Sequence, residues 1–92
     1  MSKLLTPTIH LNGTTGSHLL DQQLQVMEAL QDVLTAMRNA YPNARDFYPQ
    51  GEGVATQARQ AYNDRYRLIS DLHAEYETLA LEINSLIRKD AA

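Results

Sequence analysis

Two long stretches of this sequence contain neither proline nor glycine, and the region between them contains both. The stretches cover residues 17–41 and 54–92, and the region that separates them holds two prolines and two glycines. Proline removes a backbone donor and fixes φ, and glycine favours turns, so both residue types end helices. The pattern therefore predicts two helices, over about 17–41 and 54–88, joined by a loop over 42–53.

Apolar residues recur every three or four positions along the first stretch, which is typical of an amphipathic helix. Ser17 is a suitable N-cap for this helix. The apolar positions span an arc of roughly 200°, about twice the width that packing on one neighbour needs. They are Leu19, Leu20, Leu24, Val26, Met27, Leu30, Val33, Leu34, Met37, Ala40 and Tyr41. We therefore expect the first helix to contact a second neighbour besides its partner in the hairpin.

The second stretch carries a nearly heptad-like seam of apolar and small residues. The seam runs through positions 61, 65, 68 and 72, skips once, and continues through 76, 79, 83 and 86. This phase places Arg65 in the middle of the packing face. A buried guanidinium needs a partner, which would be an acid, a helix end or a bound anion.

The two predicted helices differ in length, at about 37 Å and 52 Å. In an antiparallel hairpin, the second helix would extend roughly ten residues beyond the first at the end away from the loop. Either the extended N-terminal arm, residues 1–16, folds back over that end with Ile9 and Leu11 as anchors, or another subunit covers it.

A chain of 92 residues forms one domain and buries only about 60 to 65% of its unfolded surface, so its stability is marginal without a further constraint. There are no cysteines, and the three histidines lack the paired spacing of metal ligands. We expect no metal and no cofactor. Self-association is the remaining source of stability, and it predicts a helical homo-oligomer.

The net charge of −3 argues against general nucleic-acid binding, which needs a basic surface. No apolar run approaches the 18 residues of a membrane span, so a cytoplasmic protein is expected. Five of the six arginines nevertheless lie between residues 38 and 67, and all six aromatic residues lie between 41 and 76.

The loop and the residues around it form the candidate site. Arginine binds phosphate or carboxylate through two N–H groups, and aromatic rings stack on bases. The site residues are Arg38, Arg45, Phe47, Tyr48, Arg59, Tyr62 and Arg65. In this interpretation Arg45 and Arg65 contact phosphate, Arg38 and Arg59 set the local field, and the aromatic residues stack on the ligand.

A purely structural interpretation of the loop uses the same residues. Asp46 would cap backbone amides and pair with Arg45, while Phe47 and Tyr48 would close the end of the hairpin core. No nucleophile with a base and no glycine-rich phosphate loop is present, so an enzyme is not expected.

Two short motifs resemble small proteins encoded by tailed bacteriophages and prophages. They are Ile9-His10-Leu11-Asn12-Gly13-Thr14 near the start and the inter-helix segment from Pro42 to Gly51, PNARDFYPQG. Gly53 departs from that pattern. The resemblance implies an accessory phage protein that acts in the bacterial cytoplasm, with counter-defence as its setting.

Together these observations predict an all-α fold: an antiparallel two-helix hairpin with an extended N-terminal arm, assembled into a homo-oligomer. The favoured hypothesis for function is a non-enzymatic protein that sequesters a small anionic, nucleotide-like ligand through the loop. One alternative is a protein–protein interaction module that inhibits a host complex, and another is a virion or assembly component.

Overall fold

The computed structural model describes residues 4–91, with side chains through residue 89, and shows an elongated helical hairpin of 62 × 23 × 20 Å. The first helix, α1, spans Gly16–Asn39 and the second, α2, spans Val54–Ala91. Two 3-10 turns, Ala44–Asp46 and Tyr48–Gln50, lie between them. No strand occurs among these residues, so the predicted all-helical hairpin is confirmed.

The first helix begins slightly earlier than the N-cap prediction. Thr15, rather than Ser17, is the N-cap, and its hydroxyl accepts from the backbone N–H of His18 at 3.3 Å. Thr15 is extended, with ψ of 151°, whereas Ser17 already lies inside the helix. At the other end the N–H of Ala40 returns to the carbonyls of Ala36 and Met37, so the helix stops before Pro42.

The two helices run antiparallel in a fixed register. Gly16 lies against Ile87 at one end, and Tyr41 lies against Tyr62 at the other. Between these contacts a series of half-buried and buried residues alternates in steps of three and four positions in both helices, as in a coiled coil. The series is Gly16, Leu20, Gln23, Met27, Leu30, Leu34 and Met37 in α1, and Tyr62, Tyr66, Ile69, His73, Tyr76, Ala80, Ile83 and Ile87 in α2. Leu19, Val26, Glu75, Leu79, Asn84 and Leu86 are half-buried beside it.

This seam corrects the predicted phase of the second helix. The predicted positions 61, 76, 79, 83 and 86 are half-buried or buried, but positions 65, 68 and 72 are exposed, and Leu68 keeps 70% of its surface in solvent. The observed seam needs no skip, because Tyr62, Tyr66 and His73 take the inward positions. Arg65 is therefore exposed and does not lie in the packing face.

The unequal helix lengths are accommodated at the loop end, which corrects the predicted overhang. Since Asn39 ends α1 close to the level of Tyr62 and Tyr66, the first turns of α2 extend past it. The two 3-10 turns pack along these turns, and Arg59 donates to the carbonyl of Pro42 at 3.4 Å. The loop therefore covers the first turns of α2.

The N-terminal arm lies along the far end of α2 in the same chain. Thr6 donates a hydrogen bond to the Glu82 carboxylate, and Ile9 is half-buried beside Gly16. Leu4 reaches the level of Leu72. Leu11, predicted to be an anchor with Ile9, is 98% exposed because the chain turns at His10 and Gly13 and carries it outward.

The core that results is thin. Only Leu34, Ala80 and Ile83 are buried among the described residues, and Leu24 and Val33 on α1 stay 46% and 42% exposed. The accessible surface of 7022 Å² exceeds the roughly 5,400 Å² of a compact monomer of this mass. Neither described helix is long and apolar enough to cross a membrane.

Candidate functional site

A row of three tyrosines joins the two helices where α1 ends. The Tyr41 and Tyr62 rings meet edge to face with centroids 4.9 Å apart. Tyr62 and Tyr66, one helical turn apart, have centroids 5.9 Å apart and an interplanar angle of 31°. Both are favourable arrangements of aromatic rings. The row fixes the helix end from which the loop departs.

Two arginines hold the ends of this row. Arg38 donates from Nε to the Tyr66 hydroxyl at 2.9 Å, with its guanidinium carbon 5.9 Å from the centre of that ring. Arg59 lies 5.8 Å from the centre of the Tyr41 ring while it donates to Pro42. Both guanidinium groups are thus engaged with the tyrosine row in a cation–π geometry.

The loop itself is a chain of hydrogen-bonded turns. The Asn43 side chain accepts from the backbone N–H of Arg45 at 3.0 Å, and the N–H groups of Asp46 and Phe47 return to Asn43 and Ala44, each at 3.0 Å. The second turn repeats the pattern, with Gln50 donating to the Phe47 carbonyl at 2.9 Å. The capping residue is Asn43, where the structural interpretation expected Asp46.

Two glycines close the loop in conformations that other residues rarely adopt. Gly51 has φ of 115° and ψ of 171°, and Gly53 has φ of 81°. A Cβ at either position would meet nothing within 4 Å. Backbone conformation rather than space requires glycine here, because side chains disfavour positive φ. These two residues turn the chain into the first turn of α2.

The loop presents one aromatic ring and one guanidinium group to solvent. Tyr48 is 74% exposed, and Arg45 is exposed in the preceding turn. Phe47 is half-buried. Of the two rings expected to close the hairpin core, only Phe47 is therefore withdrawn from solvent, while Tyr48 remains available for contact.

The predicted site residues fall into three places. Arg38, Arg59 and Tyr62 belong to the tyrosine row, and Arg45, Phe47 and Tyr48 belong to the loop turns. Arg65 lies elsewhere, exposed on the outer side of α2. The structure thus brings Arg38, Arg59 and Tyr62 into one cluster and leaves Arg65 out of it.

Two further groups complete the cluster. The Tyr66 hydroxyl and the Pro42 carbonyl are the acceptors that hold Arg38 and Arg59. Tyr66 follows Tyr62 by four residues, a spacing that places two side chains on the same face of a helix and signals the pair in the sequence. The role of the Pro42 carbonyl depends on the path of the loop and has no sequence signal.

A shallow polar depression of about 400 Å³ lies next to Tyr66 on the surface of α2. Gln60, Asn63, Tyr66, Arg67 and Ser70 line it. These side chains offer hydrogen-bond donors and one cationic group. The volume lies in the range of small-ligand sites, and the lining is more polar than is usual for them.

Among residues 4–91, no group of three or more histidine, cysteine, aspartate or glutamate side chains is placed to hold a metal ion. The chain matches no family model, no curated protein and no solved structure.

Proposed function

We propose that this protein is a non-catalytic interaction module that binds a partner protein through the loop between its helices. The observation that carries the proposal is the exposure of Tyr48, at 74%, on a loop whose backbone is fixed by successive hydrogen bonds. Tyrosine and arginine dominate the residues that contribute most to protein–protein binding. Tyr48 and Arg45 are of these types and both are exposed.

The rigidity of the loop supports this assignment. Asn43 holds the first 3-10 turn, the half-buried Phe47 joins it to the second, and the glycines set the exit into α2. Immobilising a side chain on binding costs about 0.5–1.5 kcal/mol, so contact residues on a fixed backbone lose less entropy when they bind. The tyrosine row braces the base of the loop in the same way.

A small anionic, nucleotide-like ligand is the second candidate, and the polar depression beside Tyr66 favours it. Arg67, Asn63 and Gln60 would bind phosphate and base edges there, with the Tyr66 ring as a flat surface. In this version Arg38 stiffens Tyr66, and the site lies on α2 rather than in the loop.

The protein acts as a homo-oligomer in this proposal. Its accessible surface is about 30% larger than that of a compact monomer of equal mass, and its buried core comprises three of the described residues. A second copy would cover part of the exposed apolar surface. The resemblance to phage-encoded proteins suggests the setting, which is interference with a host defence complex in the bacterial cytoplasm.

The test compares a loop variant with a matched surface variant. The variant Arg45→Ala/Tyr48→Ala removes the proposed contact residues, and Leu11→Ala removes an exposed apolar side chain from the opposite end of the rod. Each protein is immobilised and exposed to lysate of the bacterial host, and retained proteins are quantified by mass spectrometry. A partner retained by wild type and Leu11→Ala but lost by the loop variant supports the proposal.

Retention that is equal for all three proteins overturns the loop as the binding surface. A thermal-shift panel of linear and cyclic nucleotides tests the second candidate with the same samples. A ligand at about 100 times its dissociation constant would add about 2.7 kcal/mol to the unfolding free energy of wild type. Arg67→Ala would remove that gain, whereas a flat response to every nucleotide rejects the ligand site.

A further inference from the structure

The outer face of α2 carries two exposed leucines that do not pack on α1. Leu68 is 70% exposed, and Leu72, which lies near Leu4 of the arm, is 38% exposed. They lie four residues apart, on the same side of the helix and outside the seam that packs on α1. Two adjacent leucines left in solvent on a chain this small are a candidate contact surface.

Opposite charges flank the two leucines on the same face. Arg65 lies one turn before Leu68, and Glu75 lies one turn after Leu72, so the face reads arginine, leucine, leucine, glutamate at positions 65, 68, 72 and 75. We name these four residues the outer stripe. In a helix that runs in the opposite direction, the positions of the arginine and the glutamate along the stripe are exchanged.

We propose that a second copy of this chain docks on the outer stripe, with the two α2 helices antiparallel and a twofold axis between Leu68 and Leu72. Leu68 of each copy then faces Leu72 of the other, and Arg65 of each faces Glu75 of the other. An isologous contact of this kind requires a surface that is complementary to itself. The inference names the contact face of the homo-oligomer in the proposed function and rests on that part of it.

A parallel arrangement does not satisfy the same groups. It would place Arg65 against Arg65 and Glu75 against Glu75, and like charges in direct opposition are unfavourable. The antiparallel arrangement removes both of these repulsions and leaves one like-charge approach, that of the exposed Asp71 to its own copy beside the twofold axis, against two pairs of opposite charge. Charge complementarity therefore selects the orientation, while burial of the leucines supplies the larger part of the affinity.

The surface beside Leu72 has room for the incoming side chain. A cavity of about 160 Å³ lies between the arm and α2, lined by Leu4, Leu72, Glu75, Tyr76 and Leu79. Its lining is largely apolar, and in the proposed arrangement it would receive Leu68 of the second copy. The arm thus forms one wall of the receiving site.

The outer stripe is short, about 15 Å from Arg65 to Glu75, so a concentration-dependent dimer is expected. Sedimentation equilibrium of the full chain should give twice the 10.4 kDa mass of the monomer at high concentration. Leu68→Asp should weaken dimerisation by at least about 100-fold, because it buries two carboxylates against apolar groups. Leu81→Asp, at a 63% exposed leucine elsewhere on α2, should leave it unchanged.

Charge exchange tests the orientation. Arg65→Glu and Glu75→Arg should each weaken the dimer by roughly tenfold, since each creates two like-charge contacts. The double variant restores both ion pairs with reversed polarity and should recover wild-type affinity. Circular dichroism of each variant monitors helix content, so that a loss of folding is distinguished from a loss of association.

Introduced cysteines provide an independent measure, because the chain has none of its own. When Arg65→Cys and Glu75→Cys chains are mixed and oxidised, the mixed disulfide should dominate. Dominance of the two homodisulfides would overturn the antiparallel arrangement.

The remaining outcomes separate this inference from the proposed function. A dimer that is insensitive to Leu68→Asp overturns the outer stripe and leaves self-association standing. A chain that stays monomeric up to about 1 mM overturns both the outer stripe and self-association, because the free energy of association would then be weaker than about −4 kcal/mol. Binding of a protein partner through Tyr48 is measured in the separate retention experiment, and neither association result bears on it.

Discussion

Gly16 lies so close to Ile87 that a Cβ at Gly16 would come within 2.7 Å of the Ile87 Cγ1 atom. The same Cβ would come within 2.9 Å of the Cδ1 atom of Ile9. This contact joins the arm, the start of α1 and the end of α2. It sets the register of the hairpin, and the absence of a side chain at residue 16 allows the close approach.

Replacing Gly16 by leucine should destabilise the protein by about 1–2 kcal/mol. The gain in helix propensity, under about 1 kcal/mol, is smaller than the cost of displacing Ile87 and Ile9 from a tight contact. Urea denaturation monitored by circular dichroism measures the change. Ser17→Leu, at the exposed neighbouring position, is the control and should lie within about 0.5 kcal/mol of wild type.

The all-helical hairpin could be predicted from the sequence because the prolines and glycines lie between the two long stretches and mark the ends of the helices. The phase of the second helix over residues 65–72 could not. Hydropathy favours leucine inside over tyrosine and histidine, so the sequence predicts Leu68 and Leu72 in the seam. The register with α1 instead buries Tyr62, Tyr66 and His73, side chains with an apolar body and a polar tip that half-buried positions accept.

The helix lengths alone do not predict which end of α2 extends beyond α1. Residues 40–53 do more than reverse the chain, because they also run beside the first turns of α2 through two 3-10 turns. Of the site residues, the clustering of Arg38, Arg59 and Tyr62 follows from their positions around the loop. The predicted position of Arg65 is wrong because it depends on the phase of α2, and Arg65 is exposed.

Ile83 should be the side chain most sensitive to truncation, because it has no exposed surface. Ile83→Val is expected to cost about 0.5–1.5 kcal/mol, and Ile83→Ala about 2–5 kcal/mol, which approaches the whole stability of a small domain. Leu81→Ala, two residues earlier and 63% exposed, should change the unfolding free energy by less than about 0.5 kcal/mol. Equal effects at the two positions would contradict the observed face of α2.

The arm should contribute through Ile9 and not through Leu11. Ile9→Ser removes a half-buried side chain beside Gly16 and should lower stability by about 1–2 kcal/mol. Leu11→Ser alters a side chain that is 98% exposed and should be neutral. Limited proteolysis provides a second readout, since cleavage within residues 4–12 should accelerate only in the Ile9 variant. Faster cleavage in both variants would indicate that Leu11 also holds the arm.

Removal of the Tyr62 ring should disturb the loop as well as the helices. Tyr62→Ala deletes the contacts to Tyr41 and Tyr66 and should cost about 2–3 kcal/mol, below the range for fully buried aromatics because Tyr62 is half-buried. Tyr66→Phe keeps the ring and deletes only the acceptor of Arg38, so a cost of under about 1 kcal/mol is expected. Thermal unfolding ranks the two variants. The reverse order would show that the hydrogen bond, rather than ring packing, holds the row together.

Gly51 should tolerate substitution less well than its exposure suggests. Its φ of 115° and ψ of 171° lie in a region that is essentially restricted to glycine, so Gly51→Ala should cost about 1–3 kcal/mol although no atom would contact the new methyl group. The control is Gln50→Ala at the preceding exposed position, which should be neutral. Denaturant titration of both variants isolates the backbone effect. Equal stability of Gly51→Ala and Gln50→Ala would show that residue 51 can adopt an ordinary backbone conformation. The loop would then not hold Tyr48 in a fixed position, which would contradict a premise of the proposed binding surface.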